Sequence, residues 1–117
     1  MLETNEMTML KELYNALDLK FGGDIVILDI RGISVMADYF AIATGGGATQ
    51  IQALAQAAEE TLVRLGCKLS HTEGLRAANW ALLDFGDIIV HLFDKESRHF
   101  YNLERVWSDA KQITFTE

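Results

Sequence analysis

Residues 80–107 read W-A-L-L-D-F-G-D-I-I-V-H-L-F-D-K-E-S-R-H-F-Y-N-L-E-R-V-W, and this stretch decides the fold. Its pattern predicts a strand, a tight turn at Phe85-Gly86, a second strand and a short helical segment. Hairpin turns usually place Asn-Gly or Asp-Gly at their centre. Here a large aromatic residue occupies the turn, and Asp84 and Asp87 flank it. A turn that keeps a Phe and two carboxylates indicates a surface that is presented to a partner.

A two-residue turn would fix which side chains of the two strands face each other. The expected pairs are Asp84 with Asp87, Leu82 with Ile89, and Trp80 with His91. These side chains share one face of the hairpin, because side chains alternate along a strand. That face is polar and aromatic, so we expect it to meet solvent or a partner. The other face is uniformly apolar and should pack against helices; it carries Ala81, Leu83, Ile88, Val90 and Leu92.

Outward from the hairpin, apolar spacing predicts the remaining helices and strands. They are a helix at 5–21, strands at 24–30 and 39–44, a helix at 50–65, a weak strand at 67–71, a loop at 73–79 and a C-terminal helix at about 97–110. The last helix would place Phe100, Leu103 and Trp107 on one face. The order αββαβββα predicts an α+β fold, with a single domain over residues 1–117. We expect a mixed β-sheet of about five strands with helices packed mainly on one face.

The charge balance narrows the class of partner. The formal net charge is −7, and only ten Lys and Arg residues are scattered over 117 positions. A nucleic-acid-binding protein needs a basic stripe, so no direct contact with RNA or DNA is expected. The same charge suits a basic protein partner, because complementary fields speed encounter. The alternative is that the acidity only keeps the protein soluble.

Several features indicate a cytoplasmic protein. The single cysteine, Cys67, excludes an internal disulfide and fits a reducing compartment. The acidic N-terminus lacks the apolar segment of a signal peptide. Residues 39–58 carry no charge, but glycines and polar side chains interrupt them, so no membrane association is expected.

Candidate catalytic and metal sites find little support in the spacing. Gly45-Gly46-Gly47 lies between a strand and a helix, as a phosphate-binding loop would, but no Lys follows it and a simple turn is favoured. No dense ligand spacing joins the acidic and histidine residues, and no serine lies in a G-x-S-x-G setting. Cys67 on a strand is typical of an inert thiol. We therefore predict no catalytic residue, no metal and no cofactor. Trp80 is either a core residue or a binding anchor.

The same residues resemble a known family. D-Y-F-A-I-A-T-G at 38–45, Gln50, E-G at 73–74, W-A-L-L-D-F-G-D-I-I-V-H at 80–91 and R-H-F-Y-N-L-E-R-V-W-S-D-A at 98–110 occur in order. Together they resemble ribosomal silencing factor S, the Iojap-like family, over about residues 10–110. The departures are Gly46 and Gly47, where the family usually has Asn-Ser, and Thr49, where it usually has Arg.

The resemblance implies a non-enzymatic role on the ribosome. Members of the family bind the fourteenth protein of the large ribosomal subunit, block joining of the small subunit and repress translation. The family resembles the nucleotidyltransferase fold but lacks its chemistry. Two other classes stay open: a nucleotidyltransferase that uses Gly45-Gly46-Gly47 for phosphates, and a homodimeric interaction module. The nucleotidyltransferase needs a pair of acids shortly after the glycines to hold metal ions, and the next acids, Glu59 and Glu60, lie mid-helix.

The hairpin and its flanks supply the predicted partner-binding residues. The large ribosomal subunit, through a basic ribosomal protein, is the expected partner. Trp80 and Phe85 are predicted to act as anchors, and Asp84 is predicted to meet a Lys or Arg. The full set is Glu73, Trp80, Leu82, Asp84, Phe85, Asp87, His91, Arg98 and Tyr101.

Overall fold

The computed structural model describes residues 2–75 and 79–115, with side chains from residue 6 onward. The elements in chain order are α1 (Leu2–Leu19), β1 (Gly23–Asp29), β2 (Tyr39–Gly45), α2 (Ala48–Arg64), β3 (His71–Glu73), β4 (Trp80–Asp84), β5 (Ile88–Asp94), α3 (Lys95–Tyr101), α4 (Leu103–Val106) and β6 (Lys111–Ile113). The strands form one mixed sheet in the order β3-β4-β5-β2-β1-β6. The predicted α+β class is confirmed, with six strands where about five were expected.

The centre of the sheet is the parallel pair β2 and β5, in register from Tyr39 opposite Ile88 to Gly45 opposite Asp94. All residues of β2 except Thr44, and all residues of β5 except Asp94, are buried. Strands in the middle of a sheet that is covered on both faces are apolar throughout rather than alternating. These two strands therefore lie at the centre of the sheet, and both of its faces are covered there.

One face of the sheet is covered by the two long helices, α1 and α2. Each helix presents an apolar stripe at helical spacing, and the strands beneath present small and β-branched residues. The main contributors to this larger core are Leu10, Leu13, Leu17, Ile51, Leu54, Leu62, Ala41, Ala43, Val90 and Leu92. The spacing of Leu10, Leu13 and Leu17 predicted the buried face of α1, and these three residues lie in this core. Phe21, which continues the same spacing in the helix predicted at 5–21, lies beyond the end of α1 and is 84% exposed.

A smaller core lies on the opposite face of the sheet. Leu28, Phe40, Ile42 and Phe93 are buried there, and Leu103 and Trp107 pack against them. The rings of Phe40 and Trp107 meet edge to face, with their centroids 5.4 Å apart. The short C-terminal helices thus cover the part of this face that lies over the central strands.

The single C-terminal helix predicted at 97–110 is wrong. Asn102 adopts a left-handed conformation (φ 46°) and divides the segment into α3 and α4. The change of direction resets the helical phase, so that Leu103 and Trp107 pack on the sheet while Phe100 is 78% exposed. After α4 the chain returns as β6, antiparallel to β1, and adds the sixth strand.

The strand predicted at 67–71 is also displaced. The structure places β3 at His71–Glu73, where it pairs with β4. The loop expected at 73–79 includes residues 76–78, which lie outside the described residues.

The structure contains the predicted hairpin, but its two strands pair two residues away from the predicted register. Gly86-Asp87, not Phe85-Gly86, forms the turn, and the N–H of Phe85 donates to the carbonyl of Ile88 (2.9 Å). Gly86 has a positive φ of 89°, which a tight hairpin turn needs at this position. Asp84 Oδ1 accepts from the N–H of Gly86 (2.8 Å) and so supports the turn. A shift of two residues leaves every side chain on the face that was predicted for it.

Candidate partner-binding site

Four of the predicted partner-binding residues, Glu73, Trp80, Leu82 and Asp84, lie together at the β3–β4 margin of the sheet, on the face opposite α1 and α2. Here β3 and β4 pair with His71 opposite Asp84 and Glu73 opposite Leu82. Paired residues point to the same face, and so do residues two apart along a strand. We call this surface the edge face; it consists of His71, Glu73, Trp80, Leu82 and Asp84.

Trp80 is half-buried at the centre of an aromatic cluster. Its ring stacks on Phe93, with the centroids 5.1 Å apart, and lies against Tyr101 at 4.5 Å. Its indole Nε1 donates to Nδ1 of His91 (3.2 Å). One side of the indole is therefore fixed by the protein, while the residue keeps contact with solvent. Trp80 thus packs against the smaller core and is still partly exposed, and its role as an anchor stays a prediction.

His91 lies beneath the edge face and not on it. Only 4% of the residue is exposed, and its ring meets Phe40 edge to face at 4.6 Å. Burial lowers its pKa to about 4, because a charged ring is poorly solvated there. Since Nδ1 accepts from Trp80, the proton of the neutral ring lies on Nε2, and that atom is buried with no hydrogen-bond partner among the described residues. His91 is thus a support for Trp80, and its predicted exposure is wrong.

The polar side chains of the edge face are arranged in a short row. His71 Nε2 and Glu73 Oε2 lie 2.7 Å apart, and both side chains are exposed. Asp84 is partly occupied with the N–H of Gly86. Glu73 is the more exposed of the two carboxylates, since Asp84 is half-buried, although Glu73 Oε2 also lies beside His71.

Gly74 lets the chain pass closely over the start of β4. It has a positive φ of 76°, and a Cβ atom at this position would collide with the carbonyl oxygen of Trp80. Only glycine meets both conditions without strain. The E-G pair at 73–74 thus brings β3 against Trp80 and completes the edge face.

Two predicted residues on α3 have different environments. Tyr101 extends the aromatic surface beside Trp80 and is exposed. The side chain of Arg98 is only 10% exposed; it donates to Glu104 Oε2 (2.6 Å) and to Thr44 Oγ1 (2.9 Å). These contacts tie α3 to α4 and to β2. Arg98 therefore has an evident structural role, and its part in partner binding stays a prediction.

Phe85 is not presented to solvent as the sequence suggested. It is 7% exposed and lies in the larger core on the side of α1 and α2. The corrected turn explains this, because Phe85 directly follows the last strand residue and its N–H is bonded to the carbonyl of Ile88, so it follows Ala81 and Leu83 onto the helix-facing side. Asp87 lies at the turn and is exposed, and its backbone carbonyl accepts from the N–H groups of Asp38 (2.9 Å) and Tyr39 (3.0 Å).

The glycine-rich loop before α2 is held by Gln50. Its Oε1 accepts from the N–H of Gly46 (2.5 Å), and its Nε2 donates to the carbonyls of Lys20 (3.1 Å) and Phe21 (2.8 Å). One side chain thus fastens the loop to the end of α1, which favours the interpretation of the loop as a turn. Within residues 2–75 and 79–115, no three or more His, Cys, Asp or Glu side chains are grouped to hold a metal ion. No described helix is both long enough and apolar enough to cross a membrane.

The sequence interpretation missed His71 as a member of this surface. The signal was the alternation in H-T-E, which places His71 and Glu73 on one face of a strand. Because the strand was assigned to 67–71, the pattern was not used.

Comparisons with known proteins agree with this architecture. The family model described as "Ribosomal silencing factor during starvation" matches residues 3–117. A protein from Bacillus subtilis named ribosomal silencing factor RsfS is 42% identical over 106 residues, which cover 91% of this chain and 90% of that protein. The chloroplastic protein Iojap of Arabidopsis thaliana is 35% identical over 98 residues, or 84% of this chain and 40% of that protein.

Solved structures show the same similarity. A crystal structure of a protein from Bacillus halodurans matches with a TM-score of 0.80 and 34% identity, over 93% of this chain and 99% of that one. A crystal structure of a protein from Chromobacterium violaceum matches with a TM-score of 0.83 and 28% identity, over 95% and 92% of the two chains. The family match spans nearly the whole sequence, and the motifs that build the edge face lie inside it. The chain therefore belongs to the ribosomal silencing factor family.

Proposed function

We propose that this protein binds the large ribosomal subunit through its fourteenth ribosomal protein and blocks joining of the small subunit, thereby repressing translation. The family match supports a role on the ribosome. The observation that carries the site is the edge face, where a half-buried Trp80 and an exposed Tyr101 stand beside the carboxylates of Glu73 and Asp84. We infer that the protein acts by occupying a surface that the small subunit would otherwise contact.

The chemistry of the edge face suits a basic protein surface. Aromatic side chains, and Trp and Tyr above all, dominate the binding energy at protein interfaces. Carboxylates beside them select a partner that carries Lys or Arg, and they disfavour the phosphates of rRNA. The net charge of −7 acts in the same sense over a longer range.

The aromatic anchor is held in place before the partner arrives. The indole of Trp80 is fixed by its hydrogen bond to His91 and by stacking on Phe93. A side chain that is already ordered loses less conformational entropy on binding. The free protein therefore presents the anchor close to the conformation in which it would bind.

Co-sedimentation with isolated ribosomal subunits tests the proposal. The purified protein should pellet with large subunits and not with small ones. Light scattering should then show that preincubation of large subunits with the protein slows their association with small subunits. Equal binding to both subunits, or binding that leaves subunit association unchanged, would contradict the proposal.

Charge reversal at Glu73 tests the location of the site. Glu73 is exposed on β3, so Glu73→Lys should leave the fold intact and weaken binding to large subunits roughly tenfold. The matched control is Glu59→Lys, which makes the same charge change at an exposed position of α2. Sedimentation titrations of both variants give the two affinities. An equal loss in both would mean that only the net charge matters, and no loss in either would remove Glu73 from the interface.

A further inference from the structure

A loop between β1 and β2 exposes a group of apolar side chains. Ile33 is 46% exposed, Met36 is 61% exposed and Val35 is fully exposed. The segment from Gly32 to Ala37 carries no charge. Single exposed apolar residues are ordinary, whereas contiguous exposed apolar patches mark interaction sites, and these three residues lie within four positions of one loop. We call this surface the apolar loop; it consists of Ile33, Ser34, Val35 and Met36.

The apolar loop has a defined conformation that holds these side chains outward. The N–H of Ile30 donates to the carbonyl of Asp38 (2.9 Å) and closes the base of the loop. The N–H groups of Ile33 (3.1 Å) and Ser34 (3.0 Å) both donate to the carbonyl of Ile30. Ser34 Oγ accepts from the N–H of Met36 (2.9 Å). A loop with these bonds keeps its exposed apolar groups ready for contact and pays little to order them on binding.

The apolar loop lies at the same end of the sheet as the hairpin turn. The N–H groups of Asp38 and Tyr39, which follow the loop, donate to the carbonyl of Asp87 in the turn. Asp84, at the end of the edge face, is joined to the same turn through the N–H of Gly86. The loop and the edge face are therefore connected around the hairpin turn.

The surroundings of the loop are acidic. Its flanks carry four carboxylates, Asp29, Asp38, Asp87 and Asp109, and two cations, Arg31 and Lys111. The charge of Arg31 is already matched, because its guanidinium donates to both carboxylate oxygens of Asp29 (3.0 and 2.8 Å). An apolar centre with a net acidic rim suits a partner that offers an apolar patch among Lys and Arg side chains. Phosphates of rRNA or of lipid headgroups would be repelled by the same rim.

We propose that the apolar loop is a second docking surface for a basic protein of the large ribosomal subunit, continuous with the edge face around the hairpin turn. This inference rests on the proposed function and adds to it the surface formed by Ile33, Val35 and Met36. The loop contributes apolar contact area, while the carboxylates on its flanks set the sign of charge that the partner must carry.

The double variant Val35→Ser with Met36→Ser tests the proposal. Both side chains are exposed, so the thermal unfolding midpoint should stay unchanged. The affinity for large subunits should fall at least about tenfold, since full burial of one such side chain is worth about that factor. Val63→Ser is the matched control, because it removes an exposed valine from α2 and should keep wild-type affinity.

The outcomes separate this inference from the proposed function. If the wild-type protein binds large subunits and the double variant binds equally well, the inference is wrong and the proposed function stands. If the wild-type protein does not bind large subunits, both are wrong.

A photo-crosslinking amino acid in place of Val35 identifies what covers the loop. A crosslink to a basic protein of the large subunit supports the inference. A crosslink to rRNA or to a second copy of this chain, or no crosslink in a bound complex, overturns it.

Discussion

At the scale of single residues, the pair His91 and Trp80 links stability to the candidate site. His91 is the acceptor that fixes the indole, and it performs this task only while Nδ1 is unprotonated. The surrounding rings of Phe40 and Phe93 offer no charge that would stabilise an imidazolium. Protonation of His91 therefore opposes folding and removes the support of Trp80 at the same time.

The pKa of His91 predicts a pH-dependent loss of stability. The pKa is about 4 in the folded protein and about 6.5 in the unfolded chain, so the unfolded chain binds the proton first as the pH falls. The stabilisation is complete above about pH 6.5 and is lost as the pH falls towards 4. Between pH 7.5 and pH 5 the loss should be about 2 kcal/mol. Urea unfolding followed by circular dichroism at the two pH values measures it.

His91→Gln is the control for this prediction. Its amide oxygen can accept from Trp80 Nε1, but the side chain does not titrate. The variant should lose the part of the pH dependence that His91 causes, while His71 and His99, which are exposed, stay in place. The same difference in unfolding free energy between pH 7.5 and pH 5 in both proteins would assign the effect to other groups.

At the scale of elements, the break between α3 and α4 decides how the C-terminal segment covers the sheet. Asn102 lies in the left-handed region and is the N-cap of α4, because its Oδ1 accepts from the N–H of Arg105 (3.3 Å). Because of this break, Tyr101 stays beside Trp80 while Leu103 packs against the smaller core. A continuous helix would bring a different set of side chains to the sheet.

The stability of variants at position 102 should follow how well the new residue tolerates a positive φ. Asn102→Ala adds the left-handed penalty and removes the cap, for a total cost of about 2 kcal/mol. Asn102→Gly removes the cap but keeps the left-handed conformation, and should lower the free energy of unfolding by less than about 1 kcal/mol. Thermal unfolding followed by circular dichroism should therefore place the glycine variant between the wild-type protein and the alanine variant. An alanine variant as stable as the glycine variant would mean that the break does not depend on residue 102.

The sequence predicted the long elements and the faces of the hairpin correctly. Period-two alternation assigns a face to each residue, so Trp80, Leu82, Asp84 and His91 were expected on one side and are found there. The stripes of α1 and α2 were equally clear, because they extend over several turns. The face predicted for each side chain stays correct even when the pairing is wrong by two residues, because side chains alternate with a period of two.

The features that were missed depend on single backbone conformations or on distant contacts. The position of the turn depends on the positive φ of Gly86, and the helix break depends on the positive φ of Asn102. The spacing of apolar residues predicts neither angle. β6 has three residues, too few for a period, and exists because it pairs with β1. Phe85 is buried in the core formed with α1 and α2, and the ring of His91 is enclosed by Phe40, Trp80 and Phe93. Both depend on tertiary contacts that the local pattern does not contain, which is why both were expected on the surface.

At the scale of the whole molecule, the net charge of −7 sets the approach to the ribosome. If the protein binds the proposed partner, the carboxylates beside the edge face and the apolar loop should be attracted to its Lys and Arg side chains, while rRNA phosphates nearby should repel the chain. Which of the two dominates decides the sign of the salt dependence. The homodimer, which the sequence left open as an alternative, and the cytoplasmic location, which it predicted, both stay untested at this scale.

The association rate with large subunits should fall as the ionic strength rises. The Debye length shrinks from about 10 Å at 0.1 M to about 3 Å at 1 M, which weakens steering by the carboxylates. Stopped-flow light scattering at constant magnesium and increasing potassium chloride measures the rate. Glu73→Lys should show a weaker salt dependence than Glu59→Lys. A rate that rises with salt would mean that repulsion by rRNA outweighs attraction by the protein partner.

The placement of the two tryptophans gives the molecule a built-in optical reporter. Trp80 and Trp107, the only tryptophans of the sequence, both pack on the face of the sheet that lies away from α1 and α2. Tryptophan fluorescence therefore reports on the candidate site and on the packing of the C-terminal helices, and reports little on the larger core. Docking of a partner on the edge face should change the emission of Trp80 without any dye or tag. A Trp107→Phe variant would leave Trp80, the proposed anchor, as the single tryptophan.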